Sequence, residues 1–197
     1  MTFQRFTSVT LVTIMLFGCN LLIGCNNQKG ESDATSTLIS QPMDFPDSTK
    51  TVFDLALAWA EKGDERVVPL CDSLLKLKND QIGAAPFYYL GIFYAQRGDT
   101  TQALHYFDRT IITDYNFLEA YIEKAALLLS LQKPAEAQKE LAILREIAPT
   151  YAPGHYWIGK VAEVQQQKEK AIYHYQLALS LDSTLVEAKQ ALSRLQK

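Results

Sequence analysis

The chain has 197 residues, a net charge of −3, 48% apolar and 11% aromatic side chains, enough apolar material for one folded domain with a tail and too much for wholesale disorder. The mild negative balance offers no general field for nucleic acid, which calls for a basic patch or stripe. Nine glycines and seven prolines exclude collagen-like and low-complexity chains, and three cysteines are too few for a disulfide scaffold.

Residues 1–24 carry one charge, Arg5, ahead of the apolar stretch Val9–Phe17. A positive start, an apolar middle and small residues at the end read as a secretory signal. The run from Val9 to Gly24 is broken by Thr10, Thr13 and Asn20 and is shorter than the roughly 20 apolar residues a spanning helix needs. It ends in Leu22-Ile23-Gly24-Cys25, which resembles the bacterial lipobox. The resemblance implies that the Cys25 sulfur takes a diacylglyceryl group, that a signal peptidase cuts after Gly24, and that the freed amine takes a further acyl chain. Each buried methylene contributes about 0.8 kcal/mol, so two or three chains anchor a protein without a spanning helix. Asn26 after the cysteine resembles enterobacterial sorting to the outer membrane, with the periplasmic or surface face left open. Two other readings stand beside this one. The segment is an uncleaved anchor, or the lipobox ends at Cys19, where Phe17 and Asn20 fit less well.

Residues 25–50 read as a lipidated, flexible tether, rich in Ser, Thr, Asp, Gln and Pro and too poor in apolar side chains to offset chain ordering. About 25 flexible residues span roughly 25–30 Å. Alternatively, Leu38, Ile39, Met43 and Phe45 dock on the folded part as a short extension.

From Ala84 onward the chain is similar to itself every 34 residues, in units 84–117, 118–151 and 152–185. Phe87, Tyr121 and His155 fall one period apart, as do Gly91, Ala125 and Gly159, then Ala103, Ala137 and Ala171, then Phe107, Leu141 and Tyr175. A helix–turn–helix period of this length and residue order resembles the tetratricopeptide repeat. The resemblance implies an all-α fold, an α-solenoid of paired helices wound as a right-handed superhelix. Gly91, Ala125 and Gly159 then let the first helix approach the second, with Ala103, Ala137 and Ala171 as the opposite wall and the bulky residues filling space between units. Lys124, His155 and Leu144 depart from the family pattern.

A degenerate unit at 51–83 precedes these three, with Val52, Leu55, Ala56 and Trp59 at helical spacing and Lys62-Gly63-Asp64 echoing Arg97-Gly98-Asp99. Its second helix spans about Arg66 to Lys78, with Pro69 tolerable only in the first turn. At the far end 186–197 reads as a capping helix, turning Ala188, Leu192 and Leu195 inward and a polar face outward, as a solenoid end requires.

No catalytic residue, metal or cofactor is assigned. His105, His155 and His174 fall in different predicted helices without zinc spacing, and no phosphate loop, HExxH run or serine elbow occurs. His155 reads as a substitute for a core aromatic and Cys71 as a buried helix cysteine. By resemblance, the first helices line a concave groove, with Phe53, Tyr88, Ile122 and Tyr156 in one row and Leu57, Ile92, Ala126 and Lys160 in the next. Glu163 joins them as a polar groove residue. The Lys and Asn of the family's carboxylate clamp are absent here. An apolar, tyrosine-bearing strip suits an extended peptide or a partner helix, unless neighbouring units or the 26–50 segment bury it.

These features lead to the expectation of a non-catalytic lipoprotein adaptor, anchored to the membrane by lipid and recruiting another envelope protein or peptide, with no nucleic acid. The alternative is a small-ligand or glycan-binding accessory lipoprotein for uptake, for which the chain has no room for sugar-holding loop domains. Enzymatic activity ranks below both, because no nucleophile–base pair can be named.

Overall fold

The computed structural model describes residues 45–77 and 82–196, all within one compact unit running from Pro42 to Lys197. The expected signal segment 1–24, Cys19, the expected lipidation residue Cys25 and the expected tether through residue 44 lie outside the described residues. Every regular element among the described residues is an α-helix. In chain order these are α1 (Phe45–Glu61), α2 (Val67–Lys76), α3 (Ala85–Gln96), α4 (Thr100–Thr113), α5 (Leu118–Ser130), α6 (Pro134–Ile147), α7 (Ala152–Val164), α8 (Lys168–Leu181) and α9 (Val186–Leu195). Neighbours in sequence pack as neighbours in space, and the first helices α1, α3, α5 and α7 also touch in succession. The result is the α-solenoid that the period implies. Helix α1 begins at Phe45, so residues 45–50, expected in the tether, belong to a helix instead. Pro46 in its first turn presets the backbone angle a helix start needs.

Each second helix buries the same three positions, spaced i, i+4, i+7. They are Val67, Cys71 and Leu74 in α2, Ala103, Phe107 and Thr110 in α4, Ala137, Leu141 and Leu144 in α6, and Ala171, Tyr175 and Ala178 in α8. This spacing makes one stripe on a helix. Thr110 stays in that stripe because its hydroxyl donates to the Tyr106 carbonyl, 2.9 Å away.

The wall opposite each small residue differs from the expected alanines. A Cβ on Gly91 would lie 2.5 Å from a Phe107 ring carbon, and one on Gly159 would lie 2.6 Å from a Tyr175 ring carbon. The bulky residues therefore sit against their own unit's small residue rather than filling space between units. Where the bulky residue is smaller, the small residue gains a methyl: Ala125 shares a core with Leu141, and Ala56 with Cys71. Volume is matched within each pair, as close packing demands.

The turn between paired helices repeats too. Gly63 and Gly98 adopt positive φ of 64° and 78°, and Gln132 and Gln166, one and two periods after Gly98, adopt 58° and 60°. A side chain in that left-handed region costs roughly 1–2 kcal/mol, a strain the two glutamines bear because the turn geometry is set by the helices it joins. Asp99 then caps α4, accepting from the Gln102 amide at 3.1 Å.

Two polar departures from the repeat pattern are accommodated across helices. Lys124 on α5 reaches Asp108 on α4 at 2.6 Å and Glu140 on α6 at 2.7 Å. Burial disfavours its charge, but the two carboxylates outweigh that and hold its pKa above the ordinary lysine value. His155 on α7 is buried with its Nε2 2.8 Å from the Pro149 carbonyl and its Nδ1 3.3 Å from His174 Nδ1 on α8. The carbonyl can only accept, so His155 Nε2–H donates to it, which leaves His155 Nδ1 to accept from His174 Nδ1–H.

Two outcomes follow from this packing. Gly91→Ala destabilises the fold by about 1–3 kcal/mol through overpacking on Phe107. Adding Phe107→Leu recovers part of that loss by recreating the Ala125–Leu141 pairing, as chemical denaturation of the single and double variants would report. Burial, then the charge of His155, lowers the His174 pKa from 6.5 to about 4. Between those values the unfolded chain binds a proton that the folded chain does not, so stability present above pH 6.5 falls as pH drops toward 4. His174→Phe should flatten that part of the stability–pH curve, by up to about 3 kcal/mol.

Candidate interaction groove

Helices α1, α3, α5 and α7 present one face in common, and the carboxylates of Glu61 at the end of α1 and Glu123 in α5 act on each other across the intervening α3.

The predicted groove residues divide into three groups. Phe53, Leu57, Tyr88, Ala126, Tyr156 and Lys160 are half-buried, presenting part of each side chain. The Tyr88 ring stands 4.8 Å from Phe117, and the Tyr156 ring 5.8 Å from Tyr175. These contacts hold the rings in place. Ile92 and Ile122 are only 8% and 4% exposed, and each belongs to a core cluster at a junction between units. They support the groove from beneath and offer a partner no free side chain. Glu163 is engaged inside the fold: the Tyr175 hydroxyl donates to its Oε2 at 2.8 Å, and Arg194 of α9 pairs with its Oε1 at 2.6 Å. It ties the capping helix to the last repeat.

The strip expected to be apolar also carries acid. Glu123 beside Ile122 and Glu119 one turn earlier on α5 act on Tyr88 and Tyr151, and Glu61, one turn beyond Leu57, acts on Glu123. The Tyr151 hydroxyl donates to Glu119 Oε1 at 3.5 Å, a long contact. Burial, then Glu61 and Glu119, raises the Glu123 pKa from 4.5 to about 7. Burial, then Glu119 and Glu123, pushes Tyr88 and Tyr151 well above the usual phenol range. The signal that could have exposed this cluster was position: each glutamate lies on a groove helix within one turn of a predicted groove residue.

Elsewhere, Cys71 is fully buried in α2, and burial, then Asp72, pushes its thiol up to about 12, which keeps it protonated and inert. Among the described residues no three His, Cys, Asp or Glu side chains come together in a way that could hold a metal ion.

No family model matches the chain. Its sequence is 32% identical over 93 residues to anaphase-promoting complex subunit 3 of Schizosaccharomyces pombe, covering 47% of this chain and 14% of that protein. It is 34% identical over 113 residues to the cell division cycle protein 27 homolog A of Arabidopsis thaliana, covering 55% of this chain and 15% of that protein. The chain therefore spans about one seventh of the length of the curated relatives it matches. Among solved structures, a double mutant of MamA (RS-1 ArsTM) superposes with a TM-score of 0.57 at 26% identity, covering 76% of this chain and 84% of that one. The first tetratricopeptide domain of Spaghetti (RPAP3), bound to the HSP90 peptide SRMEEVD, superposes with a TM-score of 0.53 at 19% identity, covering 57% and 90%. These likenesses and the all-helical, 34-residue architecture agree: the fold is tetratricopeptide-like.

Glu123 carries a measurable signature. A carboxylate whose pKa is raised on folding destabilises the folded state once pH exceeds the unfolded value near 4.5, and the penalty is complete above about 7. Glu123→Gln should therefore stabilise the protein by about 1–3 kcal/mol at pH 8 and change it little at pH 4, as paired thermal denaturations at the two pH values would register.

Proposed function

We propose that this chain is a non-catalytic adaptor of the bacterial cell envelope, held to the membrane through acyl chains on Cys25 and recruiting a segment of another protein into the face formed by α1, α3, α5 and α7. Tetratricopeptide repeats are protein-interaction modules, and a structural neighbour holds a short peptide. The observation that carries the reading is the groove itself: half-buried Phe53, Leu57, Tyr88, Tyr156 and Lys160 stand along successive first helices, held in register by a core that does not use up their outer surfaces. An array of rigid, partly exposed rings suits capture of an extended or helical segment. The lipobox at Cys25 supports the anchor, and Asn26 supports the outer membrane.

The test places a photo-crosslinking residue at Tyr156 or Lys160 in the groove and, for comparison, at Tyr173, which is 60% exposed on α8. Adducts with one protein from both groove positions, absent from Tyr173, are the expected result. Equal labelling from all three positions, or none, overturns the groove reading. The anchor is checked separately by metabolic labelling with an alkyne fatty acid, which Cys25→Ala should abolish.

A further inference from the structure

His155 on α7 and His174 on α8 are both buried, 5% and 6% exposed. Their rings lie nearly parallel, 16° apart, with centroids 5.6 Å and Nδ1 atoms 3.3 Å from each other. His155 Nε2–H is committed to the Pro149 carbonyl at 2.8 Å, so the single hydrogen between the two Nδ1 atoms belongs to His174. A second hydrogen there would set N–H against N–H. The one nitrogen left to take a proton without breaking the contact is His174 Nε2. Among the described residues no ion pair involves either ring. The charges that act on His174 are those of His155 on α7, Lys170 on α8 and Arg145 on α6, and each opposes a further proton. Tyr173, edge-on at 5.1 Å, brings no charge to it. We propose that this contact is an acid-sensitive clasp: as pH falls below neutrality, α8 and α9 part from α7 while α1–α6 stay packed. Resting on the groove reading, the clasp also regulates the Tyr156 end of that face.

The clasp lies where the core of the array is divided. Val161 of α7, with half-buried Trp157 and Ile158, belongs to the core that α5 and α6 build, so α7 is held to the preceding unit. The buried residues of α8 and α9 lie in two smaller clusters. One holds Ala162, Ala171, Tyr175 and Ala191, the other Ala178, Leu185 and Ala188. Alanines dominate both, and a methyl group buries little apolar area. An end segment with few large buried side chains opens without the rest, since each unit of a stacked array touches only its neighbours. Once α8 leaves α7, His174 meets water and binds a proton at its ordinary pKa of 6.5 instead of about 4. Acid therefore favours the parted form, and closure that is complete above pH 6.5 weakens as pH drops toward 4. Parting also takes the Tyr175 ring from Tyr156, 5.8 Å away, and takes Tyr175 and Arg194 from Glu163. Tyr156 then loses the support that fixes it in the groove.

The experiment measures amide hydrogen exchange of the full chain at pH 7.5 and pH 5, corrected for the intrinsic rate at each pH. Two replacements that do not titrate, His174→Phe and His174→Gln, are compared with wild type, and circular dichroism verifies that each is folded. Gln keeps a donor for His155 Nδ1, so one variant remains informative if the other fails to fold. In wild type the opening constant of α8 and α9 amides should rise by about thirtyfold at pH 5, with α3–α6 unchanged. In the variants the rise should shrink to about threefold or less. Loosening spread evenly from α3 to α9, no loosening, or the same local loosening in the variants overturns the clasp and leaves the groove reading intact. For the groove, the yield of photo-crosslinked adduct from Tyr156 should fall at pH 5 in wild type and hold in His174→Gln. A yield that holds in wild type while α8 and α9 open overturns the regulation. No adduct at either pH overturns the groove reading, and the exchange result still decides the clasp.

Discussion

Within each repeat, the first helix crosses the second at a point where one side chain is reduced to a hydrogen or a methyl group so that a bulkier one can lie against the backbone. Phe107 closes on Gly91 and Tyr175 on Gly159 at distances that leave no room for a Cβ. Leu141 and Cys71, which are smaller, share their cores with alanines of their own units. The rest of the array depends on this matching. It sets how near paired helices approach, and thereby how far the next unit is displaced and turned. Close-packed interiors transmit such changes because they contain little free space to absorb them. A groove assembled from four separate helices is then a rigid surface although each helix alone would be marginal.

The polar residues that break the repeat pattern differ in how they are resolved. Lys124 replaces an apolar residue and is neutralised by carboxylates from the helices on either side. His155 replaces an aromatic ring, keeps the packing of one, and satisfies both nitrogens through Pro149 and His174. Glu163 joins Tyr175 to Arg194 and so fastens the terminal helix. In each case the polar group stabilises a junction between elements that the repeat alone would hold by apolar contact. The glutamates near Tyr88 follow no such rule. Among the described residues Glu119 and Glu123 on α5 have no cation within ion-pairing distance, unlike Glu140 and Glu163.

Much of the architecture was readable before any coordinates. The period carries the helix–turn–helix unit, because a repeat that cannot bury its apolar face alone must stack on copies of itself. Phe53, Tyr88 and Tyr156 were placed on the first-helix face by the same register. The register does not foresee that Ile122, in the row of Tyr88 and Tyr156, and Ile92, in the row of Leu57 and Lys160, are covered, since burial depends on the neighbour's side chains and not on the residue's place in its own unit. It also fails at the start of α1, where Ser, Thr and Asp suggest a flexible segment but Phe45 and Pro46 open a helix.

The amino-acid sequence by itself determined the element types, their order and the spacing at which small and large side chains return, because helical periodicity and turn residues act over a few positions along the chain. Only the tertiary structure decided which large residue meets which small one, that Glu163 belongs to a latch, and that Glu61, Glu119 and Glu123 share one field. Those outcomes depend on how successive units pack on one another. Each is made by side chains from different helices, and no single unit contains it.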